Sequence, residues 1–246
     1  MQIWITVTAG EGKSCCEDAA VFGTQVIREA SLALQSEDLL CVAVADGVGG
    51  NAGGELASRY VAEALANADF SQWTALEIRQ FVQALNANLL QYAQCFPEAW
   101  NMATTLTGIV SGHDGYYLIH AGNSRLYVMQ GRYLKQLTTD HTAYQWLLRH
   151  GQEEQAEQCN QNQILCCLGG GDPRQAGQLT VKRIFEQALP ETLVLTSDGI
   201  HDYVDIDFME ETLANAPSLA QGAQIIADKA KENGSRDDQT LIILRR

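Results

Sequence analysis

The sequence predicts an α+β protein in which two antiparallel sheets pack together and carry helices on their outer faces. The strand-like runs at 105–111, 115–121, 125–130 and 133–137 are separated only by tight turn signals: Gly112-His113-Asp114-Gly115, Gly122-Asn123-Ser124 and Gln130-Gly131. Such short connections leave no room for crossover helices, so these runs form an antiparallel meander. Helical patterns fall between groups of strand-like runs, which places helices outside the sheets. The runs number nine, which suits two packed sheets better than one.

In chain order, Gln2-Ile3-Trp4-Ile5-Thr6-Val7-Thr8 reads as a strand; with no basic lead and no long apolar core it is not a signal peptide. The apolar run 39–45 is a second strand and ends at Asp46. Helices are expected at about 53–67 and 74–94; in the latter Ile78, Val82, Leu85, Leu89 and Tyr92 recur at helical spacing. After the meander, about 143–177 reads as a flap-like excursion, rich in Gln, Glu and Asn beyond Gly151 and closing on Gly169-Gly170-Gly171-Asp172-Pro173. Strands at 179–185 and 192–196, a helix at about 218–232 carrying Leu219, Ala223, Ile226, Ala227 and Ala230, and a strand at 240–245 complete the chain. No linker composition and no repeat divides it, so 1–246 is expected to be a single domain.

Apolar residues make up 46% and charged residues 19%, ordinary values for a soluble globular protein. The formal net charge of −14 excludes the basic face that nucleic-acid binding needs. No window approaches the roughly 18 apolar residues of a membrane helix. The seven cysteines include the adjacent pairs Cys15-Cys16 and Cys166-Cys167 and match no zinc spacing; reduced thiols in a cytoplasmic protein are expected.

Four short acidic clusters carry the chemistry: Glu17-Asp18, Asp46-Gly47, Asp198-Gly199 and Asp237-Asp238. Three of them lie at the edge of an apolar run, and carboxylates at rigid strand ends can converge on one point. Crowded carboxylates repel one another unless a cation neutralises them, and oxygen ligands without accompanying His or Cys suit Mg²⁺ or Mn²⁺ rather than Zn²⁺. The loop Asp46-Gly47-Val48-Gly49-Gly50-Asn51-Ala52-Gly53-Gly54-Glu55 lacks the Gly-Lys-Ser/Thr ending of a P-loop. Its glycines instead let backbone carbonyls approach a cation beside Asp46.

That loop resembles the Asp-Gly-Met-Gly-Gly segment of bacterial metal-dependent protein phosphatases, the type 2C class of serine/threonine phosphatases. Further motifs follow in the same order. Lys13 to Ala19 is similar to Arg-x-x-x-Glu-Asp-Ala, Gly122-Asn123-Ser124-Arg125 to Gly-Asp-Ser-Arg, and Leu137-Thr138-Thr139-Asp140-His141-Thr142 to Leu-Thr-x-Asp-His-Ser/Thr. Ser197-Asp198-Gly199-Ile200-His201-Asp202 is similar to Ser-Asp-Gly-Leu-x-Asp, and Asp237-Asp238-Gln239-Thr240 to Asp-Asn-x-Thr. The resemblance implies a four-layer α-β-β-α sandwich, two antiparallel sheets flanked by helix pairs, with two Mn²⁺ or Mg²⁺ ions at one edge. It implies that Asp46 bridges both ions, the Gly47 carbonyl ligates one, Asp198 and Asp237 bind the other, and Glu17 and Asp18 orient bound waters. The implied reaction is hydrolysis of phosphoserine and phosphothreonine in proteins by a metal-bridging hydroxide, opposing a cytoplasmic protein kinase. A monomer without nucleic-acid or membrane partners is expected.

Two departures stand out. Lys13 takes the place of the arginine that would grip the substrate phosphate, and a point charge replaces a bidentate fork. Asn123 takes the place of a carboxylate of a third metal site; with only Asp202 remaining there, a third cation is expected to be weak. The alternative reading is a pseudophosphatase that binds a phosphorylated regulatory partner. His141 and His201 read as structural histidines, and Arg125 as half of a buried ion pair.

Overall fold

An antiparallel sheet whose strands are apolar on both faces needs cover on both faces, and this chain provides it. The computed structural model describes residues 1–48 and 52–246. Gly49, Gly50 and Asn51 of the glycine-rich loop, part of the expected cation loop, lie outside the described residues. The chain begins with strands β1 (Gln2–Thr8), β2 (Asp18–Phe22), β3 (Gln25–Ile27), β4 (Ala30–Gln35) and β5 (Cys41–Asp46), then helices α1 (Gly54–Ala66) and α2 (Ala75–Ala93). There follow β6 (Ala103–Thr104), β7 (Leu106–Gly112), β8 (Gly115–Ala121), β9 (Arg125–Gln130) and β10 (Tyr133–Gln136). The excursion contains α3 (Ala143–Arg149), α4 (Glu153–Gln158) and β11 (Leu168–Gly169). Last come β12 (Thr180–Phe185), β13 (Thr192–Thr196), α5 (Asp198–His201), α6 (Ile206–Asn215), α7 (Leu219–Glu232) and β14 (Gln239–Arg245).

One sheet has the order β10-β9-β13-β14-β1-β4 and the other β12-β8-β7-β5-β2-β3, while β6 and β11 form a small ladder of their own. All pairings are antiparallel. Strand β5 shows the layering. Val42 and Val44 point between the sheets, toward a core that includes Ile5, Leu195 and Ile242. Cys41, Ala43 and Ala45 point outward into a second core with Val61, Ile78 and Val82 of α1 and α2. On the other sheet Val194, Leu241 and Ile243 meet Met209, Leu213 and Ile226 of α6 and α7. The result is a four-layer α-β-β-α sandwich, each buried Val, Leu or Ile contributing roughly 1.5–3 kcal/mol. Helix α2 starts on a reciprocal capping box between Thr74 and Glu77.

The meander, the first strand and the three long helices lie where the periodicity places them. Strands β2, β3 and β4 do not read as strands from the sequence, nor α6 as a helix. β2 opens on a carboxylate and is rich in alanine, and β3 and β4 are short sheet-edge strands. The 143–177 excursion begins with two short helices packed on each other, and α3 buries no residue fully. Its far end is tied down: Gly169 N–H donates to Asn86 Oδ1 at 2.8 Å, and Gly170 N–H to the Met102 carbonyl at 2.9 Å. Among the described residues, no helix is long and apolar enough to cross a membrane.

Candidate active site

Sheet topology alone brings the acidic clusters together. Asp18 opens β2 and Asp46 closes β5, and the two are direct partners in the β2–β5 ladder. In the facing sheet, β13 runs through Ser197 into α5, whose first residue is Asp198, and Asp237 precedes the neighbouring β14. Carboxylates from both sheets therefore share one edge. The sheets are stitched there by Asp18, which is 1% exposed. Its Oδ2 accepts the Ser197 hydroxyl at 2.8 Å and the Thr240 hydroxyl at 2.7 Å, while Thr240 N–H donates to Ser197 Oγ at 2.9 Å.

Neighbouring backbone holds the rest. The Asp46 carbonyl accepts Thr105 N–H at 2.8 Å and the Thr104 hydroxyl at 3.0 Å, while its side chain is hydrogen-bonded with Asp198. Gly47 N–H donates to the Glu17 carbonyl at 3.1 Å. A Cβ on Gly47 would strike the Gly54 backbone, so the close approach of residues 47 and 54 requires glycine at 47, and the Glu17 carboxylate lies against Gly54. Asn123 Nδ2 donates to Asp198 Oδ2 at 3.0 Å. Asp202 caps α5 and takes a hydrogen bond from Asn162 of the excursion. Lys13, expected at the substrate phosphate, lies among the site acids, with Nζ 2.5 Å from Asp237 Oδ1, 3.0 Å from Asp238 Oδ2 and 3.6 Å from Glu17 Oε2.

The cluster is electrostatically strained without a cation. Burial, with the charges of Asp238 and Asp198, pushes Asp18 up to about 7 against the pull of its two hydroxyl donors. Burial and the charges of Asp198, Asp18 and Asp237 hold Asp46 well above the usual carboxylate range. Burial and Asp237 push Asp198 up to about 6, and burial also raises Glu17 and Asp202. Burial opposes the Lys13 charge, but hydrogen bonds to Asp237 and Asp238 outweigh it and hold the ammonium above its ordinary value.

Among the described residues, no three His, Cys, Asp or Glu side chains are already closed around a metal position. The donor chemistry nevertheless fits a hard dication. All the crowded groups are oxygen donors, and two buried oxygens at this edge, Asp18 Oδ1 and Asn123 Oδ1, have no hydrogen-bond partner.

Ser197, Thr240, Arg28 and Glu29 do not stand out in the sequence, and Asp238 stands out only as half of an acidic pair. Glu29 Oε1 accepts Cys16 N–H at 3.1 Å and Arg28 Nη2 donates to the Cys16 carbonyl at 2.8 Å, which fixes the loop before Glu17 from behind. Ser197 and Thr240 lie inside matched motifs, a signal that could have found them. Three histidines are held inside the fold. His201 is buried on the Thr196 hydroxyl, and His120 and His141 lie ring against ring at 4.5 Å. Arg125 pairs with Asp140 through Nε at 3.0 Å and Nη2 at 2.7 Å.

The chain matches the Protein phosphatase 2C family over residues 12–234, and it belongs to that family. It is 30% identical over 216 residues to the serine/threonine phosphatase stp of Listeria monocytogenes, covering 83% of this chain and 84% of that protein. The crystal structure of the serine/threonine phosphatase PstP/Ppp of Mycobacterium tuberculosis is similar with a TM-score of 0.78 at 26% identity, over 99% of this chain and 98% of that one. The catalytic domain of serine threonine protein phosphatase PstP in complex with 2 manganese ions is similar with a TM-score of 0.75 at 26% identity, over the same shares of the two chains.

Proposed function

We propose that this chain is a metal-dependent protein phosphatase hydrolysing phosphoserine and phosphothreonine, with two Mn²⁺ or Mg²⁺ ions held by Asp46, the Gly47 carbonyl, Asp198 and Asp237. The observation that carries this reading is the meeting of Asp18, Asp46, Asp198 and Asp237, drawn from both sheets, at one edge. Cations bound there would neutralise phosphoryl oxygens and make water acidic enough to react near neutral pH. The protein's part is placement. Ser197 and Thr240 hold one oxygen of Asp18 still, so its Oδ1 offers a fixed acceptor to a water at the edge. Glu17, partly open and braced against Gly54, is a second acceptor. Asn123 fixes the rotamer of Asp198.

A third cation at Asp202 and Asn123 would be weak, because a single carboxylate and a neutral amide attract a dication poorly. Cysteine chemistry is not needed: Cys41 and Cys167 are buried and their thiols are pushed up to about 12. The pseudophosphatase alternative gains no support, since Asp46, Asp198 and Asp237 are all in place. The reading also takes phosphorylated proteins as substrates and sets the enzyme, as a monomer, against a protein kinase in the cytoplasm.

The test is hydrolysis of p-nitrophenyl phosphate and of a phosphothreonine peptide with Mn²⁺, Mg²⁺ or EDTA. Turnover with either metal, none in EDTA and recovery on adding metal back are expected. Robust turnover by the stripped protein would overturn the proposal.

A further inference from the structure

Besides the Arg28 and Glu29 contacts to Cys16, the loop that carries Glu17 is held by a buried carboxylate from the far end of the chain. Asp238 is 2% exposed. Its Oδ1 accepts Gly10 N–H at 2.8 Å, and its Oδ2 accepts both Glu17 N–H at 2.7 Å and Lys13 Nζ at 3.0 Å. Gly10 and Glu17 bracket the loop, so one side chain closes both of its ends. A buried carboxylate needs a counter-charge, and Lys13, from the same loop, supplies it. Lys13 also grips Asp237 Oδ1, which in turn accepts Asp238 N–H at 2.8 Å. The two residues depart together from the motifs they resemble: lysine stands where those carry arginine, and aspartate where they carry asparagine. Here the two departures touch each other.

We propose that Lys13 and Asp238 form an ion-pair latch that fixes the Glu17–Asp18 loop against Asp237, making Lys13 a positioning residue rather than a ligand of the substrate phosphate. What the latch positions rests on the phosphatase reading above; the latch itself does not. An ammonium has three N–H donors; Lys13 Nζ donates to Asp237 and Asp238 and lies 3.6 Å from Glu17 Oε2. Removing Lys13 leaves a buried carboxylate without its cation and frees the loop, and a shift of about 1 Å in a site group can cost about 10²-fold in rate.

A double-mutant cycle of Lys13→Gln, Asp238→Asn and both together, unfolded by denaturant in EDTA, involves neither metal nor substrate. Each single change should lower the folding equilibrium constant by about 10- to 100-fold. The double variant should lose at least about tenfold less than the product of the singles. Asp238→Asn folding only in the Lys13→Gln background would be the strongest form of that coupling. With saturating Mn²⁺ and p-nitrophenyl phosphate, Lys13→Gln should lower kcat about tenfold or more with KM within about twofold, and Lys13→Arg should restore kcat. Should Asp238→Asn fold in neither background, this split decides alone. Independent single effects in EDTA, or a Lys13→Gln enzyme with normal kcat and a roughly tenfold higher KM, would overturn the latch. An inactive natural enzyme would instead contradict the proposed function, and the EDTA cycle would still decide the latch.

Discussion

Asp18 and Asp46 face each other as direct partners across the β2–β5 ladder, two acids on adjacent strands. Like charges directly opposite are unfavourable in a sheet. The fold tolerates this pair because Ser197 and Thr240 hold one acid and because both carboxyls are shifted toward their protonated forms.

The first consequence is a pH profile. An acid whose folded value is raised contributes stability that is complete below its ordinary value of 3.8 and is lost as pH rises through the folded value. For Asp198 and Asp18 the loss is complete near about 6 and about 7, and Asp46, held well above 3.8, adds to it in the same direction. Burial lowers His120 to about 3 and His141 to about 4, and holds His201 well below 6.5. A depressed base contributes stability above 6.5 that is lost as pH falls, about 1.4 kcal/mol per pH unit for each histidine. In EDTA the two trends oppose one another between about 5 and 6, and only the carboxylate loss operates above 6.5. Denaturant unfolding in EDTA should therefore give a flat profile between about 5 and 6 and a decline from 6.5 through about 7. Saturating Mn²⁺ should abolish that decline, because the cation replaces the protons. An equal decline with and without Mn²⁺ would refute this reading.

Ser197→Ala tests the stitch between the sheets. The hydroxyl donates to Asp18 and accepts Thr240 N–H, so its loss leaves buried groups unpaired on both sheets. A loss of about 1–3 kcal/mol in unfolding free energy is expected. A change near zero would mean that the stitch is not holding the edge.

Asn123→Asp removes the donor to Asp198 and adds a like charge beside it. Stability in EDTA should fall by about 1–3 kcal/mol. Calorimetric Mn²⁺ titration should show a third site that binds measurably more tightly than in the natural protein. An unchanged third-site affinity would show that Asp202 and residue 123 do not share a cation.

Much of this edge was legible in the sequence, for a physical reason. Asp46 closes one apolar strand and Asp198 follows another by two residues, and a strand with apolar residues on both faces cannot be mistaken for a loop. β2 stayed hidden because its first residue is the buried Asp18 and its alanines carry little strand preference. Asp237 and Asp238 look alike in sequence, yet one side chain is 49% exposed and the other 2%. Only the turn before β14 separates the open acid from the loop-holding one. Lys13 shows the same limit: its spacing suggests a phosphate contact, while its direction depends on a carboxylate 225 residues away.

The central claim is that Asp46 joins the two halves of a metal-dependent phosphatase site. The direct measurement is turnover of a phosphothreonine peptide by Asp46→Asn at saturating Mn²⁺, with unfolding in EDTA on the same protein. Loss of the charge should relieve repulsion and leave the fold as stable as before or more so, while turnover falls by about three orders of magnitude or more. A well-folded Asp46→Asn protein with near-normal turnover would contradict the account.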